Sequence, residues 1–174
     1  MKYEFATTKE LPAIERMIRL YLAEQEDSGS PVQLTKRTVD AYRLLASSYL
    51  VGSLFGVVVL AYVETAEAAP ELVGFALAGE EISPLAFDTT LGRVAFVWQV
   101  WVAPEHRKAG AGLGMLTFGR PRLLELGFQT ASMSVRAENQ ESRALCEAFG
   151  AKLVELNLHY PLKEEPHGRR QQGQ

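Results

Sequence analysis

Apolar residues recur every three or four positions in two segments near the start of the chain, and this spacing predicts amphipathic helices. The first helix is predicted over 8–24, where Thr7 and Glu10 have the spacing of a capping box. The second is predicted over 35–47. A polar stretch at 24–31 contains glycine and proline, so we expect two separate helices and not one long helix.

Other segments are rich in β-branched and aromatic residues. In these segments apolar and polar residues alternate, or apolar residues run continuously, and both patterns predict strands. Helical character returns twice between the later strands, and Gly127 is placed to end the first of these helices as a C-cap. Strands are predicted over 2–7, 49–63, 71–79, 93–102, 130–135 and 151–162, and the later helices over 112–126 and 140–149.

The order of these elements, β-α-α-β-β-β-α-β-α-β, defines the fold class. Successive strands joined by short turns, such as the hairpin predicted at 65–70, are expected to pair antiparallel. The strands at 93–102 and 130–135 are separated by a helix, which implies a parallel pair. We therefore expect an α/β (α+β) fold with a mixed, mainly antiparallel central sheet flanked by helices, and not a doubly wound sheet.

Length and composition narrow the class of protein. The 174 residues fit one domain, which we place at 1–163, followed by a polar tail at 164–174 that we expect to be disordered. With 47% hydrophobic and 22% charged residues, the composition is that of a soluble globular protein. The net charge of −3 argues against a nucleic-acid partner, because proteins that bind nucleic acids usually carry a basic face.

The lone cysteine, Cys146, excludes an intrachain disulfide and a multi-cysteine metal site, and we expect no bound metal. The N-terminus lacks the apolar run of a signal peptide. The most apolar stretch, 49–63, is shorter than a membrane-spanning helix. These features predict a cytoplasmic protein with no membrane partner.

Three glycines at alternate positions, Gly110, Gly112 and Gly114, follow Arg107 and Lys108 and lead into a predicted helix. Each glycine disfavours helix by roughly 1 kcal/mol relative to alanine, so we expect a functional reason for them. The first N–H groups of a helix lack internal partners and carry partial positive charge, and glycine lets a phosphate approach the backbone closely. The segment predicts an anion site, with Arg107 and Lys108 adding mobile positive charge at its rim.

The spacing of the glycines excludes two common phosphate loops. A Walker loop needs Gly-Lys-Ser/Thr, which this segment lacks, and the dinucleotide fingerprint needs glycine where the chain has Met115. The Arg-x-x-Gly-x-Gly pattern at 107–112 instead resembles the signature of the GNAT superfamily of N-acetyltransferases. The resemblance spans 100–151, because the family's second conserved block is similar to 138–151 at Asn139, Leu145, Cys146 and Gly150.

The resemblance implies a site for acetyl-CoA, with its pyrophosphate on the loop amides and the helix N-terminus. In the family, the preceding strand splays from its neighbour, and its free backbone groups pair with the pantetheine arm of the cofactor. The cofactor-binding residues implied in this way are Val100, Trp101, Val102, Arg107, Lys108, Ala109, Gly110, Ala111, Gly112, Leu113, Gly114, Asn139 and Cys146.

The chain departs from the family at the catalytic positions. Many members have a tyrosine general acid where this chain has Cys146, so the thiol is one candidate acid; a buried apolar role for Cys146, with water as the acid, is the alternative. The strand 93–102 contains no carboxylate. Glu80 and Glu81, at the end of the preceding strand, are either the general base or solvated loop charges.

These observations predict an acetyl-CoA-dependent N-acetyltransferase that acts on a primary amine of a small molecule or protein. The alternative is a catalytically inactive CoA-binding sensor or interaction module. Either function is compatible with a monomer or a homodimer. Acceptor specificity is expected from 24–35 and 80–92, and the acidic residues within 24–27 either favour a cationic amine or are solvated surface charges. Because alternate strand positions face opposite ways, Trp98 and Trp101 are expected on opposite faces, with one of them lining the cleft.

Overall fold

The computed structural model describes residues 1–28, 32–64, 68–80 and 92–153. Its helices and strands follow the predicted order closely. In chain order they are β1 (Lys2–Phe5), α1 (Leu11–Asp27), α2 (Lys36–Leu50), β2 (Gly56–Val63), β3 (Glu71–Gly79), β4 (Val94–Val102), α3 (Ala111–Glu125), β5 (Thr130–Met133) and α4 (Gln140–Phe149).

The five strands form one sheet in the order β1-β2-β3-β4-β5. The first three pairs are antiparallel and β4–β5 is parallel, which confirms the mixed sheet. The parallel pairing covers only Val94–Val97 of β4. The remaining length of β4, up to Val102, therefore has no described strand on that side, and the candidate site lies along it.

The sheet separates two apolar cores. On one face, α1 and α2 pack against a set that includes Phe75 and Leu77. On the other face, α3 packs against a set that includes Val59 and Ala76. Because neighbouring residues of β2 and β3 enter opposite cores, both strands are apolar along almost their whole length.

Two local predictions at element ends are confirmed. Thr7 and Glu10 form the capping box, with the Glu10 carboxylate accepting from the Thr7 N–H at 2.7 Å. Gly127 follows α3 with a φ of +87°, the left-handed conformation that glycine adopts most readily after a helix. Both features depend on residues close in sequence, which is why the sequence alone predicts them.

Two predicted boundaries were wrong. The strand predicted from residue 49 begins at Gly56, because the residues up to Leu50 complete α2. The helix predicted to end at residue 24 continues to Asp27, since glutamate and glutamine are good helix formers and polarity alone does not end a helix.

The predicted strand at 151–162 is only partly covered, and residues 151–153 are not in a strand. The rest of it, the predicted tail at 164–174, part of the turn at 65–70 and most of the loop at 80–92 lie outside the described residues. No helix in the ranges described is both long and apolar enough to cross a membrane.

A β-bulge in β4 overturns the expectation that the two tryptophans face opposite ways, although Trp101 does line the pocket at the end of β4, as expected for one of them. Leu77 pairs with Gln99 but its neighbour Ala78 pairs with Val97, so Trp98 is an extra residue on β4. Strict alternation would send Trp98 and Trp101 to opposite faces, but the extra residue places both against the core beneath α1 and α2.

Candidate functional site

A cleft of about 510 Å³ opens where β4 ends. One wall comes from the last two turns of α1 and the residue that follows it, with Tyr21, Glu24, Gln25 and Ser28. The other walls come from the end of β4, the loop that follows it, and the first turns of α3 and α4. A second, smaller cavity of about 280 Å³ lies between α3 and the sheet, away from this loop.

The loop before α3 has a constrained backbone. Lys108 and Gly110 have φ values of +62° and +82°, and a non-glycine residue in this region is uncommon. A Cβ built on Gly110 would meet no atom within 4 Å, so glycine is needed there for its backbone conformation and not for space. The loop therefore turns sharply into α3.

The N-terminus of α3 presents unpaired donors to the cleft. The Gly110 carbonyl accepts the first helical hydrogen bond, from the Gly114 N–H at 2.9 Å. The amides of Ala111, Gly112 and Leu113 precede that bond and so have no acceptor within the helix. All three residues line the cleft, and free N–H groups at the N-terminus of a helix are the groups that suit an anion.

The other two glycines have packing roles. A Cβ on Gly112 would meet the Leu145 side chain at 3.2 Å, so glycine lets α3 approach α4 closely. A Cβ on Gly114 would collide with the hydroxyl of Tyr3 on β1. The Gly114 N–H is already bonded within the helix, and the contact with Tyr3 gives this glycine a packing role, while its implied cofactor contact stays a prediction.

The edge of β4 beside the cleft offers further donors. The Ala103 N–H bonds the Val73 carbonyl of β3 at 2.8 Å. Because the backbone groups of alternate residues point to opposite sides of a strand, those of Val100 and Val102 point away from β3 and toward the unpaired edge. Their carbonyls accept from side chains, Val100 from Gln99 Nε2 at 3.2 Å and Val102 from Arg107 Nε at 2.9 Å. Their N–H groups face the cleft with no described strand alongside.

Arg107 is held in place and is not the mobile rim charge that the sequence predicts. Its Nη1 and Nη2 donate to the two carboxylate oxygens of Glu24 at 2.7 and 2.5 Å, and its Nε bonds the Val102 carbonyl. The same carboxylate accepts from Trp101 Nε1 at 2.9 Å. The Arg107 hydrogen bond lowers the pKa of the Glu24 carboxyl, and Glu24 in turn raises the pKa of Arg107.

Lys108 and Asn139, both cofactor candidates, line the cleft, and Asn139 also has a local role that the sequence-based prediction missed. The Lys108 side chain is 83% exposed, with its Nζ 3.4 Å from Glu141 Oε1. The Asn139 Oδ1 accepts from the Ser142 N–H at 2.9 Å and so caps α4. Asparagine before a helix is a strong N-cap signal, and that signal was present in the sequence.

The two catalytic candidates that the structure describes, Cys146 and Glu80, do not line the cleft. Cys146 is half-buried, and burial raises the pKa of its thiol; among the described residues that line the cleft, its neighbours Ala144 and Leu145 appear and Cys146 does not. Glu80 also lies outside that set, with Oε1 3.3 Å from Arg93 Nη2. Glu81 lies outside the described residues.

The remaining cofactor candidate, Ala109, is in the loop but is not among the cleft-lining residues. His106, by contrast, lines the cleft, with its Nε2 3.7 Å from Glu71 Oε2. The structure thus brings together the loop amides, the β4 edge and the end of α1, and it leaves the candidate acid and the described candidate base outside.

Several solved structures resemble this chain. A probable acetyltransferase is 20% identical with a TM-score of 0.65, and the alignment covers 95% of this chain and 100% of that one. An aminoglycoside 6′-N-acetyltransferase from Acinetobacter baumannii is 16% identical with a TM-score of 0.66, covering 94% and 99% of the two chains. A third, a related aminoglycoside enzyme in complex with a CoA-containing bisubstrate analogue, is 15% identical with a TM-score of 0.64, covering 93% and 97%.

The TM-scores, over nearly the whole length of each chain, show that the fold is shared. No curated protein sequence matches the chain. The sequence does match the family model described as the acetyltransferase (GNAT) family, over residues 19–151. That match covers well over half of the chain and includes both the β4–α3 loop and the Asn139 cap, so the chain belongs to the GNAT family of acetyltransferases.

Proposed function

We propose that the protein is an acetyl-CoA-dependent N-acetyltransferase that transfers an acetyl group to a primary amine of a small molecule or protein. One observation carries the proposal: two sets of unpaired backbone donors, at the N-terminus of α3 and on the free edge of β4, open onto one cleft. The first set suits a diphosphate, and the second suits the amide carbonyls of an extended arm.

The residues present fit the cofactor. The amides of 111–113 would hold the pyrophosphate, with the exposed Lys108 ammonium adding charge. The N–H groups of Val100 and Val102 would hold the pantetheine arm, since unpaired strand-edge groups require partners. When bound, acetyl-CoA supplies the acyl group as a reactive thioester.

The wall formed by Tyr21, Gln25 and Ser28 is where we place the amine acceptor. It faces the β4 edge across the cleft, so the protein's main contribution is to hold two reactants together in a reactive orientation. Because Cys146 and Glu80 lie outside the cleft wall, we assign proton transfer to water and to His106, which lines the cleft.

A second candidate function is CoA binding without acetyl transfer. It is favoured by the absence of a carboxylate from β4 and by the positions of Cys146 and Glu80 outside the cleft. The cofactor site would be the same in both cases, so cofactor binding alone does not separate the two functions.

The test is a pair of measurements on the purified protein. Calorimetric titration with CoA should show micromolar binding, and acetyl-CoA incubated with a panel of amines should release free thiol with at least one of them. Binding without thiol release from any amine would support the non-catalytic function, and the absence of CoA binding would refute both.

A further inference from the structure

One carboxylate on α1 holds together the two parts of the candidate cofactor site. Glu24 lies in the last turn of α1, and it binds Arg107 through both carboxylate oxygens and Trp101 through the indole N–H. Arg107 also bonds the Val102 carbonyl. We call these four groups the Glu24 clamp; it joins residues that are 83 positions apart in sequence.

The clamp uses three of the five N–H donors of the Arg107 guanidinium. Each of its three nitrogens donates one hydrogen bond within the clamp, and the Glu24 carboxylate neutralises its charge. Only 28% of the Arg107 side chain is exposed, against 83% for Lys108 beside it. The basic residue of the motif is therefore turned toward α1 and β4, and Lys108 is the cation that projects into solvent.

The clamp also explains why the loop starts where it does. Arg107 is the first residue after the short helical turn at 104–106, and the strained Lys108 and Gly110 conformations follow directly. Fixing Arg107 to Glu24 and to the Val102 carbonyl sets the loop and the β4 edge relative to each other. A site that is already in its binding geometry loses less entropy when a ligand binds.

We propose that Glu24 is a positioning residue for the cofactor, and that Arg107 acts with it as one unit and not as a direct phosphate ligand. This inference rests on the proposed function. It also adds a role for one of the acidic residues at 24–27, because the Glu24 carboxylate is paired with Arg107 and Trp101.

The test is a double-mutant cycle read by calorimetric titration with CoA, using wild type, Glu24→Gln, Arg107→Gln and the double variant. We expect each single variant to bind CoA about tenfold more weakly, and the double variant to be no more than about threefold weaker than either, because residues that act as a unit are not additive. Glu26→Gln is the matched control: it removes the same charge from an exposed position on the same helix and should leave the Kd unchanged.

The direct-ligand alternative predicts the opposite sign for one variant. If Arg107 bound phosphate itself, Glu24→Gln would release its cation and tighten CoA binding, and this gain would disappear when Arg107→Gln is also present. Tighter binding by Glu24→Gln, or independent and additive effects of the two substitutions, overturns the proposal. Failure of wild type to bind CoA at all would instead refute the proposed function.

Arg107→Lys keeps the test valid if Glu24→Gln does not fold. Lysine retains the charge but cannot make the paired contact with both carboxylate oxygens. The clamp predicts that Arg107→Lys binds CoA as weakly as Arg107→Gln. Near-wild-type affinity in Arg107→Lys would show that charge alone is needed and would overturn the positioning role.

Discussion

Gly110→Ala is the sharpest single test of the loop. Gly110 has a φ of +82°, and a Cβ there would meet no atom within 4 Å, so the substitution introduces strain without a steric clash. A left-handed conformation costs a non-glycine residue roughly 1–2 kcal/mol. For a domain of this size, that corresponds to a decrease in Tm of roughly 2–8 °C.

The effect on cofactor binding is expected to be larger than the loss of stability alone would suggest. The alanine relieves its strain by rotating the peptide that leads into α3, which turns at least one of the amides of 111–113 away from the cleft. Losing one charge-assisted hydrogen bond to a phosphate costs about 1.5–3 kcal/mol, or roughly 10- to 100-fold in Kd. Calorimetric titration with CoA, well below the Tm of the variant, measures this directly.

Gly52→Ala is the matched control. Gly52 has a φ of +73° and the same open space around its Cβ, but it lies just after α2 and outside the cleft. We expect a similar decrease in Tm and an unchanged Kd for CoA. If Gly110→Ala also bound CoA within twofold of wild type, the loop amides would not be the phosphate site and the reasoning would be refuted.

Three further predictions test the separate roles of the site residues. Gly114→Ala should collide with Tyr3 and lower the free energy of unfolding, and with it the Tm, by roughly 1–3 kcal/mol of overpacking. The Kd for CoA measured at 10 °C should stay within twofold, and a large loss of affinity would instead support a cofactor contact for Gly114. Cys146→Ala should leave the turnover with the best amine within about twofold, because Cys146 does not line the described cleft, and a tenfold decrease would identify the thiol as the acid. Because the Arg107 hydrogen bond lowers the pKa of Glu24, its contribution to stability is present above the ordinary carboxyl pKa of roughly 4 and is lost as the pH falls through the lowered value. Urea denaturation should therefore show wild type and Glu24→Gln converging at acidic pH, and a constant difference from neutral to acidic pH would argue against the ion pair.

The sequence by itself determined the features that depend on neighbouring residues. The Thr7–Glu10 capping box and the Gly127 conformation follow from local hydrogen bonds and from the backbone freedom of glycine. The same holds for the turn into α3, where Gly110 must adopt a positive φ. The parallel direction of β4 and β5 also follows from the sequence, because one helix separates them.

The tertiary structure decided which distant side chains meet. Hydrophobic periodicity does not reveal that Glu24 on α1 would bind Arg107, since that contact depends on how the end of α1 packs beside β4. It does not reveal the bulge at Trp98 either, because one extra residue changes the face of every later side chain in the strand while the sequence still reads as a strand. The spacing of the glycines predicted where the candidate cofactor loop lies. Only the packing showed that Gly114 leaves room for the Tyr3 side chain and that Cys146 lies outside the described cleft wall.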